Sequence, residues 1–232
     1  MRGKIELSIV LPSFEEEENL RILLPKIREV ITKIGCTFEI LVVDTMLPMD
    51  KTKNVCKKNK AVYLNRKITN SFGNAVRMGI NSASGKYIIF MDADGSHSPQ
   101  TISRLYSERD NYDVVIASRY VKKGSTENIF LLVLMSRIVN FTYSAVLRLP
   151  CKDVSNSFKL YNSNHLKKLT LRCENFDIVE EILFKLLKEN EKLKVKEIPF
   201  TFKQRLYGKT KRNLFVFIAT YIFTIIKLRL SS

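Results

Sequence analysis

Two acids one residue apart, in Asp92-Ala93-Asp94, have the most chemical reach in this sequence. They close an apolar run, residues 86–91, that reads as a buried strand. In extended backbone, residues two apart face the same side, so both carboxylates can hold one hard cation through oxygen. Mg2+ or Mn2+ held this way keeps several waters and bridges to a diphosphate, whose departing charge it neutralises as a Lewis acid. A lone acid pair of this spacing also suits a surface turn. A third acid, Asp44, ends another apolar run at residues 38–43. His97 is read as closing the turn after the acid pair. Cys36, Cys56, Cys151 and Cys173 lie far apart, and His97 and His165 are the only histidines, so no zinc site is expected. Reduced thiols are the expectation.

The elements that must carry these acids follow from periodicity. Residues 5–12 read as a strand. A helix then starts at Ser13, with Glu16 three residues on at capping-box spacing. Leu20, Leu23, Leu24, Ile27 and Ile31 keep the helical period. Strands are expected at 38–43, 61–65, 86–91 and 113–117, with helices at 50–58 and 71–83. Another helix runs from Ser98, with Pro99 at its first position, to about residue 107. This alternation specifies an α/β fold with a mostly parallel sheet and right-handed crossovers. Ligands of such sheets lie at the carboxyl ends of the strands, where Asp44 and Asp92-Ala93-Asp94 fall. A strand at 157–161, a helix at 177–189 and a strand at 195–202 complete a domain spanning residues 1–208. Residues 209–232 read as a basic, apolar, membrane-associated tail.

A net charge of +16 and a pI near 9.7 call for an anionic partner. The basic residues are scattered, flank apolar helices and form no nucleic-acid motif, so nucleic acid is not expected. In residues 129–149, Ser136, Asn140, Ser144 and Arg148 recur every four positions, with Arg137 beside them. That makes one narrow polar stripe and a broad apolar face, the pattern of an interfacial helix; a core helix is the other reading. As a membrane span it would bury Arg137 at a cost of about 2.5–3.5 kcal/mol. Residues 214–226 are apolar but reach only about 20 Å, against a hydrocarbon core of about 30 Å. They read as a helix lying in the interface or docked on the protein. The N-terminus has no signal-peptide pattern. The expected location is the cytoplasmic side of a membrane, peripheral or monotopic, on an anionic surface.

Several stretches together resemble glycosyltransferase family 2, with the GT-A fold, and within it the dolichyl-phosphate mannose synthases. They are SIVLPSFEEEENL (8–20), ILVVD (40–44), FGNAVRMGINSASGKYIIFMDADGSHSP (72–99), VVIASRY (114–120), SRIVN (136–140), KDVSNSFKLY (152–161) and KEIPFTFKQRLYGKTK (196–211). The resemblance implies an inverting transfer of a hexose, mannose from GDP-mannose, to dolichyl or another polyprenyl phosphate. Pro12, Glu16 and Asp44 would cradle the nucleoside, and Asp92, Ala93 and Asp94 the diphosphate with its Mg2+ or Mn2+. Arg119, Arg137, Arg205 and Lys211 would gather the acceptor phosphate. Asp94, Arg119 and Arg137 would carry the catalytic step. Another donor such as UDP-glucose, another lipid acceptor, and a non-catalytic scaffold are the alternatives, and a separate membrane subunit is a possible partner. Where relatives usually carry Asn, this chain has Glu15; a second acid after Asp44 is replaced by Thr45. The first glycine near residues 71–73 is lost. Lys159 stands for an Arg, without its two-pronged geometry.

Overall fold

A computed structural model describes residues 4–208 and 214–230. Seven strands form one sheet: β1 (Leu7–Pro12), β2 (Phe38–Asp44), β3 (Val62–Asn65), β4 (Tyr87–Phe90), β5 (Val114–Ser118), β7 (Lys159–Asn162) and β8 (Val195–Pro199), in the order β3-β2-β1-β4-β7-β5-β8. The β3-β2-β1-β4 half is parallel, as the alternation predicts. β7 enters antiparallel between β4 and β5, after the long excursion that follows β5. The expected strand at 195–202 is two strands. At Phe200 the chain leaves β8, and β9 (Thr201–Phe202) pairs with β6 (Ser125–Thr126) in a separate two-stranded ribbon.

Central strands buried on both faces read as continuous apolar runs, and both faces are covered here. Leu7, Ile9, Leu11, Ile40, Val42 and Ile89 point into one core, against α1 (Glu17–Ile34), α2 (Thr52–Lys58) and α4 (Gln100–Ser107). Val10, Leu41, Val43, Ile88 and Phe90 point into the other, beneath α3 (Phe72–Ser82) and α7 (Ile178–Glu189). The short helix α6 (Ser163–Leu166) follows β7.

The capping box expected at Ser13 does not form. α1 starts at Glu17, Glu16 makes no capping bond, and Ser13 Oγ is buried without a partner. Two helix starts cap each other instead: Asp50 accepts from the Glu17 amide at 3.0 Å, and Glu17 accepts from the Lys51 amide at 2.9 Å. This satisfies orphan amides that a local cap would otherwise take.

The excursion before β7 carries α5 (Phe130–Val146), on which Ser136, Asn140 and Ser144 of the expected polar stripe turn inward, whereas Arg137 is exposed and Arg148 falls past the helix end, exposed and at φ +53°. Asn140 is 1% exposed, and Ser144 donates to the carbonyls of Leu149 and Cys151. The apolar face looks outward: Phe130 is 81% exposed and Phe141 75%, with Leu131, Leu134 and Ile138 beside them. α8 (Leu214–Leu230) packs against α5. The Tyr143 hydroxyl donates to the Tyr221 carbonyl at 2.9 Å, and Thr224 donates to the buried Asp177 at 2.5 Å. α8 likewise exposes Phe223, Ile226 and Leu230. Among the described residues no helix is long and apolar enough to cross a membrane.

Candidate active site

The carboxyl ends of β1, β2 and β4 converge on one crevice. β1 lies between β2 and β4, and Pro12 pairs in register with Val43, so the loops after β1 and β2 leave the sheet side by side. Asp44 is the last residue of β2 and is almost fully buried. Its Oδ2 accepts from the Tyr63 hydroxyl at 3.0 Å, while its Oδ1 is buried with no partner. Burial holds its pKa above the usual carboxylate range. Beside it sits Arg66, which donates to the Asn70 carbonyl and, at 2.5 Å, to the Ser13 carbonyl; its Nε is also buried and unpartnered. An unmatched acceptor and an unmatched donor in one buried corner are costly unless a polar ligand completes them.

Asp92 and Asp94 lie just past β4, on a turn that the fold holds from several sides. His97 is fully buried, stacked on Phe158 with ring centroids 4.7 Å apart, and its Nδ1 accepts from the Asp92 amide at 3.0 Å. Ser157 Oγ donates to Asp92 Oδ1 at 2.8 Å. Asp94 Oδ1 accepts from the amide and the hydroxyl of Ser96 at 3.0 and 2.6 Å. Among the described residues no three His, Cys, Asp or Glu side chains converge to hold a metal. Two carboxylates suit a hard cation that takes its other ligands from water and a diphosphate.

The segment after β9 closes over this turn. The Leu206 amide donates to the Asp94 carbonyl at 2.9 Å, and the Tyr207 amide to Asn19 Oδ1 at 2.9 Å. Arg205 donates to both Glu16 oxygens, at 2.8 and 3.0 Å. Desolvation raises the pKa of Glu16, opposed by its bonds from Asn19 and Arg205. Arg205, expected with the acceptor cations, is therefore closed onto Glu16, the expected nucleoside contact. Gly95 permits the closure: its φ is +84°, and an added Cβ would sit 2.5 Å from Leu206 Cγ.

The acceptor cations are built differently from one another. Arg119 grips Asp153 with two parallel bonds of 2.9 and 2.7 Å, and its amide donates to the same carboxylate at 2.8 Å. That contact raises the pKa of Arg119, against the desolvation that lowers it. The guanidiniums of Arg119 and Arg137 lie 5.0 and 5.4 Å from the Tyr120 ring, so both border the same aromatic side chain. Arg137 is exposed on α5. Lys211 lies outside the described residues. Asp153, Ser157 and Asn140 complete the site without having been assigned a role from sequence. Asp153 and Ser157 belong to the KDVSNSFKLY stretch, but their partners Arg119 and Asp92 are 34 and 65 residues away. Lys159, the substitute for an Arg, is wholly buried in β7 and donates to the Val154 carbonyl at 2.7 Å.

The profile described as glycosyl transferase family 2 matches residues 8–170. This chain belongs to glycosyl transferase family 2. The family stretch takes in β1, the acid turn, α5 and β7, so it contains the whole crevice except Arg205 and its segment. A protein described as a dolichol-phosphate mannosyltransferase from Pyrococcus furiosus is 31% identical over 89% of this chain, which spans 59% of that protein's length. An uncharacterised protein of Methanocaldococcus jannaschii is 28% identical over 85% of this chain and 81% of its own. Among solved structures, the glucosyl-3-phosphoglycerate synthase of Mycobacterium tuberculosis, in complex with Mn2+, UDP and phosphoglyceric acid, superposes with a TM-score of 0.75. It is 17% identical, over 98% of this chain and 79% of that one. The GT-A fold expected from the sequence is the fold observed.

Proposed function

We propose that this family 2 enzyme transfers a hexose, mannose from GDP-mannose, to a polyprenyl phosphate at a membrane surface. The observation that carries the reading is α5, which turns its polar stripe inward and an apolar face outward within the excursion that also supplies Arg137. A soluble acceptor needs no such face, whereas a lipid-borne phosphate arrives in the plane where this face would lie. The Pyrococcus relative's description supports the same acceptor. α8, with Phe223, Ile226 and Leu230 exposed, would add a second apolar surface on the cytoplasmic side of the membrane.

In this reading Asp44 Oδ1 takes an N–H of the donor base. Asp92 and Asp94 hold Mg2+ or Mn2+, which would supply charge neutralisation for the departing nucleoside diphosphate. Arg119 and Arg137 fix the acceptor phosphate. A phosphate monoester is already anionic near neutral pH, so the attacking oxygen needs no general base. The protein's contribution is alignment and fixed positive charge. Direct attack from the face opposite the leaving group inverts the anomeric centre. Arg205 must release Glu16 for the nucleoside to reach that carboxylate.

A second donor is favoured by a specific finding: the structural neighbour was crystallised with UDP. Titration of the purified chain with GDP and with UDP, each with Mn2+, tests the choice. Tighter metal-dependent binding of GDP supports mannose. Tighter binding of UDP moves the proposal to glucose.

A further inference from the structure

The loop between α5 and β7 touches both halves of the crevice. Asp153 grips Arg119, Ser157 holds Asp92, and between them Ser155 Oγ accepts from Arg119 at 3.1 Å. Ser155 is itself held from α5: Asn140 Nδ2 donates to its hydroxyl at 2.9 Å, and Asn140 Oδ1 accepts from its amide at 2.8 Å. Asn140 Nδ2 also bonds the Ser136 carbonyl at 2.7 Å, one turn back on the same helix. Asn140 is 1% exposed, and every polar atom of its side chain is used. A buried amide in a fully satisfied network has one orientation, because any other leaves a donor or acceptor unpaired.

We infer that Asn140 is a positioning residue: it fixes Ser155, and through it the Arg119 guanidinium, so that the cation meets the acceptor's phosphate only when α5 is seated. Asn140 touches neither metal nor substrate. It sits on the inward stripe of the helix whose other face is exposed and apolar, so the link runs from that face to the acceptor cation. This rests on the proposed role of Arg119 at the acceptor phosphate.

The test is steady-state kinetics of the full chain with GDP-mannose and dolichyl phosphate, using Asn140→Ala, Ser155→Ala and the double variant. Asn140→Ala is expected to raise the acceptor KM about tenfold, the scale of one lost hydrogen bond, with the donor KM unchanged. The double variant should be no worse than the poorer single, because both remove the same link. A donor KM that rises as much as the acceptor KM, or single effects that multiply, would overturn the inference. Should Asn140→Ala fail to fold, Asn140→Asp keeps the acceptor for the Ser155 amide and carries the same comparison. The Arg119 Nε–H resonance in 15N-labelled protein, assigned with Arg119→Lys, separates this claim from the functional reading. If the unaltered chain transfers to no polyprenyl phosphate, that reading fails, and the resonance decides alone. A shift in Asn140→Ala supports positioning, and an unmoved resonance contradicts it.

Discussion

At the scale of the residue, Asp92 and Asp94 were legible as an acid pair closing an apolar run, but the strand geometry expected to align them ends at Phe90, and the pair lies on the turn that follows. Asn at either position is expected to abolish turnover while leaving the melting temperature nearly unchanged, since neither carboxylate supports the core; full activity in both variants would remove them from the site. Asp153 was not legible as a partner, because nothing local marks a carboxylate whose Arg lies 34 residues away. It is fully buried under a nearly buried Arg119. Breaking one partner of a buried pair strands the other, so Asp153→Asn should cost about 3–5 kcal/mol in urea unfolding. Glu15 gives the opposite case. Its φ is +54°, a left-handed conformation that costs an ordinary side chain about 1–2 kcal/mol and that Asn and Gly tolerate better. Glu15→Asn should therefore raise stability by up to about 1 kcal/mol in the same assay.

At the scale of the element, the polar stripe was readable at Ser136, Asn140 and Ser144, since its period needs only the sequence, but Arg148, its expected fourth member, falls past the end of α5. Its inward direction was not dictated by the period, because a stripe of Ser and Asn can face water as well as a hydrogen-bonding loop. Ser155, Leu149 and Cys151 supply the partners that turn it in. The outward face makes a prediction of its own. Ile138→Glu with Phe141→Glu should abolish binding to anionic liposomes and leave metal-dependent GDP binding intact; retained liposome binding would detach α5 from the membrane. The segment after β9 was legible as a basic loop but not as a cover, because its contacts to Asn19 and Asp94 are long-range. Gly95→Ala should displace that cover, through both its positive φ and the clash with Leu206. Faster proteolysis near residues 203–208 would report it.

At the scale of the molecule, the parallel half of the sheet followed from alternating strands and helices, whereas the antiparallel β7 depends on where a 40-residue excursion re-enters, roughly a long-loop problem that local pattern cannot solve. One buried titratable group sits on α7. Glu180 is fully buried; burial pushes its pKa up to about 7, opposed in part by the buried Lys159 and by a hydrogen bond from Tyr221. A carboxyl with a raised folded-state pKa stabilises fully below its unfolded value and loses that contribution as pH rises through the folded one. Melting temperature should therefore fall between about pH 5 and pH 8, and Glu180→Gln should flatten the fall. The central claim is the reaction itself. Radiolabelled GDP-mannose and UDP-glucose, each offered with dolichyl phosphate and Mn2+ in detergent, test it most directly. The account predicts metal-dependent mannosyl lipid from GDP-mannose alone, and folded protein that makes no glycolipid from either donor would contradict it.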